Sequence, residues 1–145
     1  MGANHIDDGR VADRAAIADL YARYAWALND RDWAAWEAVF TPDAKIDNSG
    51  AGGIVGSPSE LSSFLATTLA PFEHLLNAVS NIAVDFDGDD TAASRAMFTV
   101  MIKVAGDPPS YMDVRGFYRD RLQRTDDGWR VSERVETILD LHTSG

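Results

Sequence analysis

Apolar residues recur every three to four positions in the first half of the chain and every second position in the rest. Ile17, Leu20, Tyr21, Tyr24 and Leu28 fall on one helical stripe, and Asp13 stands where a helix cap is expected. After "NDRD" the pattern predicts a second helix with Trp33, Trp36 and Phe40 on one face. It ends at "TPD", because a proline disfavours helical backbone in the residue before it. "AKIDN" reads as a short strand, and "SGAGGIVGS" as a glycine-rich turn around a brief extended piece. "SPSE" then supplies a capping box: Ser57 caps, Pro58 suits the first helical position and Glu60 reaches back. This third helix runs towards Leu69 and stops before Pro71.

The period then changes to two. "HLLNAVSNIAVDF", "TAASRAMFTVMIKVA", "SYMDVRGFYRDRLQR" and "GWRVSERVETILDL" read as four long strands, joined by "DGDD", "GDPPS" and "TDDG". Helices followed by a run of antiparallel strands make an α+β fold. The expected architecture is a cone: a curved, mostly antiparallel sheet with three N-terminal helices enclosing a pocket for a small molecule. Residues 13–141 form the expected single domain, with tails over 1–12 and 142–145. In the second long strand Met97, Thr99 and Met101 alternate with Phe98, Val100 and Ile102. Both sets are apolar, so the outer sheet face is expected to meet another copy, in a dimer or trimer.

Composition narrows the function classes. A net charge of -10 argues against nucleic acid and anionic membrane surfaces as partners. No apolar run approaches the ~18 residues of a membrane span, and "MGANHIDDGR" lacks the basic and apolar regions of a secretory signal. The expected location is cytoplasmic. The chain has no cysteine, which removes thiolate nucleophiles and thiolate metal ligands. Its three histidines are scattered, with no ligand spacing, so no metal and no other cofactor is expected.

Several stretches resemble one family. "RAAIADLYARYAWALNDRDWAAWEAVFTPDAKID", "SNIAVDFDGDDTA" and "GFYRDRLQRTDDGWRVSER" are similar to SnoaL-like proteins of the nuclear transport factor 2-like superfamily, over roughly residues 13–137. That superfamily includes scytalone dehydratase, a bile-acid dehydratase, lindane dehydrochlorinase, polyketide cyclases and ketosteroid isomerase, alongside non-catalytic subunits. One scaffold hosts many chemistries. The resemblance implies two readings. The first is a cofactor-independent dehydratase, isomerase or cyclase acting on a small apolar carbonyl compound such as a polyketide or terpenoid. The second is a non-catalytic ligand-binding or subunit-assembly module.

The dehydratase-like branch uses a His–Asp dyad. Carried onto this chain, the aspartate's place falls on Asn29, three residues before Asp32-Trp33, and the histidine's on Asn77, four before Asn81. Paired loss is coherent, since either charge alone is a buried mismatch. Neutral amides orient a ligand or an oxyanion rather than act as bases. A tyrosine that follows "ID" in that branch is Asn48 here. His74 lies three residues from Asn77, and odd spacing on a strand points it to the other face unless a bulge intervenes. Asp30 takes the dyad place only if the helix turns by one residue.

The remaining candidates each carry two readings. Tyr24 matches a tyrosine of the bile-acid dehydratase-like members, or is a core aromatic on its stripe. Arg134 matches a pocket arginine of the dehydrochlorinase-like members, or forms a strand-end ion pair near Glu133 or Asp140. Asp47 is a carboxylate base with a raised pKa in a dry pocket, or a solvated strand end. Trp26, Trp33 and Trp36 fit helix packing. The resulting candidate set is Tyr24, Asn29, Asn77 and Asp47 for catalysis, and Asn48, Arg134 and His74 for substrate binding.

Overall fold

The computed structural model describes residues 8–144. Helix α1 (Val11–Asp30) leads into a short helix α2 (Trp33–Glu37), strand β1 (Phe40–Asp47), a 3-10 turn (Ser49–Ala51), strand β2 (Val55–Gly56) and helix α3 (Pro58–Leu69). Four long strands follow: β3 (His74–Phe86), β4 (Thr91–Val104), β5 (Ser110–Thr125) and β6 (Gly128–Ser144). They form one sheet in the order β2-β1-β6-β5-β4-β3. All neighbours are antiparallel except β1 and β6. The fold is α+β, with an open, curved, mostly antiparallel sheet and the helices on its concave side.

Local chemistry sets most boundaries. Ser57 accepts from the Glu60 backbone while Glu60 returns a bond to the Ser57 backbone, so the capping box starts α3 as expected. Others differ. Helix α1 begins with Arg10 at its cap position and no side-chain cap. Asp13 sits inside the first turn instead, so its carboxylate is free to reach the sheet. Helix α2 stops at Glu37, and Phe40 opens β1 rather than closing a helical face. β6 continues through Ser144, paired to Tyr111, so residues 142–144 belong to the sheet and not to a tail. The expected N-terminal tail lies outside the described residues over 1–7, and its last two residues are helical.

Asp13 ties the helix to the last hairpin. It accepts from Arg10 Nε at 2.7 Å, Arg124 Nη2 at 3.0 Å and Trp129 Nε1 at 3.1 Å, and Arg124 Nη1 makes an ion-pair contact at 2.8 Å. The Arg124 hydrogen bond above all, followed by those from Trp129 and Arg10, holds its carboxyl below the usual carboxylate range despite opposing burial. Stability from a depressed acid is present above its unfolded pKa and lost as pH falls through the folded value. Asp13→Ala is therefore expected to cost about 1.5–3 kcal/mol at pH 7. That gap to the parent should shrink in urea melts carried down towards pH 2.

The sheet's two faces separate cleanly at β4. Phe98 and Ile102 are buried on the concave side, while Met97 is 49% exposed on the convex side. Gly116 allows this packing. A Cβ there would sit 2.0 Å from the Thr137 carbonyl oxygen and 2.9 Å from the Phe98 ring, which stacks on Tyr118 at 4.5 Å. Trp36 is in the core and Trp33 packs against it, as expected, but Trp26 is 66% exposed, contrary to the helix packing expected of it.

Candidate functional site

A cavity of about 310 Å³ occupies the concave side of the sheet. Tyr24 and Leu28 of α1, Trp36 of α2 and the Leu61, Phe64, Leu65 face of α3 roof it. Phe98, Val100 and Ile102 of β4, Met112, Val114 and Tyr118 of β5, and Arg134, Glu136 and Ile138 of β6 form its floor. Its wall is overwhelmingly apolar. Among the described residues, Arg134 and Glu136 are the only charged groups in the lining.

β-Bulges on β6 and β3 set which side chains face inward. Trp129 and Val131 are buried at odd positions of β6; the pairing with β5 then slips at Ser132, and Arg134 and Glu136 turn inward at even positions. On β3 the pairing slips between Ser80 and Ala83, where Asn81 adopts φ 53°. That slip moves the buried phase from Leu75 and Asn77 to Val84.

Arg134 is held from below. Its Nε donates to Asp120 Oδ1 at 2.9 Å and its Nη2 to Oδ2 at 2.8 Å. Tyr21 donates to the same Oδ2 at 2.5 Å and meets Ser94 at 2.6 Å. The guanidinium lies 3.8 Å from the Tyr118 ring centre and 4.4 Å from that of Tyr24. Burial opposes its charge, but the Asp120 carboxylate overrides this and keeps the pKa above the ordinary arginine value. The ion-pair partner is thus Asp120, not Glu133 or Asp140. The Tyr24 and Tyr118 hydroxyls lie 3.1 Å apart, and burial pushes both phenols upward, so they remain neutral donors. Arg134 Nη1 and Trp36 Nε1 are buried without a hydrogen-bond partner among the described residues.

Glu136 is the acid of the site. Burial pushes its carboxyl up to about 7, against the opposing pull of Arg134 and a hydrogen bond donated by Asn48 Nδ2. The sequence reasoning placed Arg134 and passed over Glu136. Its signal was available: it lies two residues beyond Arg134, hence on the same strand face.

The structure brings together only part of the candidate set. Tyr24, Asn48 and Arg134 line the cavity. Asn29 does not: its side chain clamps β3, accepting from the Asn77 backbone N–H at 2.6 Å and donating to the Asn77 carbonyl at 3.3 Å. Asn77 is buried on the concave face beside Leu75, but its amide is outside the cavity lining and has no partner among the described residues. His74 points to the other face, 65% exposed and 3.7 Å from Glu73, so it is not a cavity residue. Asp47 is also outside the cavity. Its carboxylate accepts from the Ser49 hydroxyl at 2.5 Å and the Ser49 N–H at 3.0 Å, and these bonds lower its pKa instead of raising it. Among the described residues no cluster of three or more His, Asp or Glu is placed to hold a metal ion, and no helix is long and apolar enough to cross a membrane.

The SnoaL-like domain model matches residues 9–135. The chain belongs to the SnoaL-like family. Uncharacterized protein Rv2910c of Mycobacterium tuberculosis is 36% identical over 127 residues, covering 88% of this chain and 86% of the relative. A crystal structure from Novosphingobium aromaticivorans, named provisionally as an aromatic ring hydroxylase, superposes with a TM-score of 0.81 at 30% identity. It covers 92% of this chain and 94% of that one. A hexachlorocyclohexane dehydrochlorinase, LinA type 2, shares the fold at TM-score 0.81 and 19% identity, over 94% and 91% of the two chains. Within this SnoaL-like frame the chain carries asparagine at both places where the resemblance puts a dyad, both outside the cavity lining, and a carboxyl, Glu136, within it.

Proposed function

We propose that the chain is a cofactor-independent enzyme of the dehydratase, isomerase or cyclase kind, acting on a small apolar carbonyl compound of polyketide or terpenoid type. The observation that carries this reading is Glu136, a carboxyl in an apolar cavity with its proton affinity raised to about pH 7. A base poised there accepts a proton from carbon near neutrality. The C–H bond next to the carbonyl breaks, its electron pair forms the enolate and its proton passes to Glu136. The Tyr24 hydroxyl in the cavity wall stabilises the oxygen that becomes negative. In a β,γ-unsaturated compound Glu136 returns the proton to the γ-carbon of the dienolate and the double bond moves; in a β-hydroxy compound it passes the proton to the departing hydroxyl, the C–O bond breaks and water leaves.

Family membership supports this reading through relatives named as dehydrochlorinases. Asparagine at both dyad places favours the other reading, a module that binds such a compound without turning it over. Deuterium exchange at the α-carbon of 2-tetralone separates the two. Exchange should rise with pH through about 7 and fall at least about a hundredfold in Glu136→Gln. Native protein that binds the ketone without catalysing exchange would leave the binding module standing.

A further inference from the structure

The cavity holds one positive and one negative side chain, yet it is not electrically balanced. Arg134 directs Nε and Nη2 to the two oxygens of Asp120, at 2.9 and 2.8 Å. Both groups are almost wholly buried, at 3% and 0% side-chain exposure. The pair is closed off further by the Tyr21 hydroxyl on Asp120 and by aromatic ring faces over the guanidinium. The arginine's charge is therefore largely compensated inside the protein wall, and its pull on Glu136 is outweighed by burial. Glu136 has no such partner among the described residues: its hydrogen bond comes from the neutral amide of Asn48. Once Glu136 ionises, the cavity carries a net negative charge in apolar surroundings, where charge acts over the whole width of the pocket.

We propose that the cavity selects uncharged oxygen compounds and excludes carboxylates, with Glu136 as the residue that sets this discrimination. The inference rests on the ligand-binding reading of the cavity, and it holds whether or not that ligand is turned over. The two Nη1 hydrogens of Arg134 and the Trp36 Nε1–H have no partners among the described residues, but both nitrogens are sealed within the wall. The Tyr24 hydroxyl, a neutral donor in the lining, suits one carbonyl or hydroxyl oxygen. An anion entering the same place must approach Glu136 without a free countercharge, and a buried unpaired charge is strongly disfavoured.

The charged and titratable groups facing Glu136 come from three elements: Arg134 on its own strand, Asp120 and Tyr118 on β5, and Tyr24 on α1. Helix α3 and strand β4 present only uncharged side chains to the cavity. Lowering the pH through about 7 protonates Glu136 and removes the negative charge, so the discrimination should weaken in acid.

Calorimetric titration with three probes of equal size tests this: 2-acetylnaphthalene, 2-naphthamide and 2-naphthoate. At pH 8 both neutral probes should bind at least about tenfold more tightly than the carboxylate. The ratio should shrink at pH 5.5, where naphthoate is still ionised. In Glu136→Gln the ratio at pH 8 should fall to within about threefold. Equal binding of all three by the native protein, a ratio unchanged in Glu136→Gln, or binding of no probe would overturn the proposal. The catalytic reading fails separately, through the exchange assay, because a probe can bind selectively without losing a proton.

Discussion

Asp120→Ala should destabilise the fold by roughly 3–5 kcal/mol, the largest loss expected from any single side chain in the site. The substitution removes two hydrogen bonds to Arg134 and one from Tyr21 at once. It leaves a guanidinium that burial already opposes, with only ring faces as company. Water cannot easily replace the lost carboxylate, since the Asp120 and Arg134 side chains are almost wholly buried. Urea denaturation at pH 7 measures the loss as a lowered midpoint. Adding Arg134→Met to Asp120→Ala should recover part of it, because the stranded charge then disappears. A loss below about 1 kcal/mol, or no recovery in the double variant, would mean that the pair is not the buried salt bridge described.

Glu136→Gln should make the protein more stable at pH 8 while removing its proposed activity. The carboxyl's ordinary value is 4.5 and burial raises it to about 7 in the folded chain. The folded state therefore holds the proton more tightly than the unfolded one. Stability is intact below about 4.5, falls as pH climbs from 4.5 to 7, and stays reduced above that. A shift of this size corresponds to roughly 3 kcal/mol at most. Glutamine keeps an acceptor for Asn48 and has no charge to bury. Thermal melts of the two proteins should nearly coincide at pH 5 and separate at pH 8, with the glutamine variant higher. A gap of the same size at both pH values would show that the carboxyl is not the source.

Such a cost tolerated within the cavity wall is what a functional carboxyl entails. Asn48 lowers it with one hydrogen bond, and the placement of Asn48 just past β1 depends on the glycine-rich turn that follows. The amide of Asn77, without a partner among the described residues, is a second cost, and the cavity lining does not account for it.

Periodicity alone determined much of this chain. The helical stripe from Ile17 to Leu28, the capping box at Ser57 and four strands alternating with period two are local properties, and each corresponds to an element of the fold. The spacing between His74 and Asn77 likewise placed them on opposite faces, because no slip separates them within β3. Tyr24, Asn48 and Arg134 could be carried over from the family resemblance because each matched a motif at a fixed offset.

Tertiary structure decided the rest. The β6 slip at Ser132 reverses which residues face inward, so Trp129 and Glu136, seven positions apart, both turn to the concave side. A bulge depends on pairing with β5 and leaves no period in the sequence. Asp120 became the partner of Arg134 because strand pairing sets them side by side across fourteen residues of chain. Asn29 stood at the right offset for a catalytic acid, yet the helix packs close enough to β3 for its amide to be consumed by backbone groups. Burial, finally, gave Glu136 its proton affinity, and burial is a property of the assembled cone rather than of any stretch of sequence.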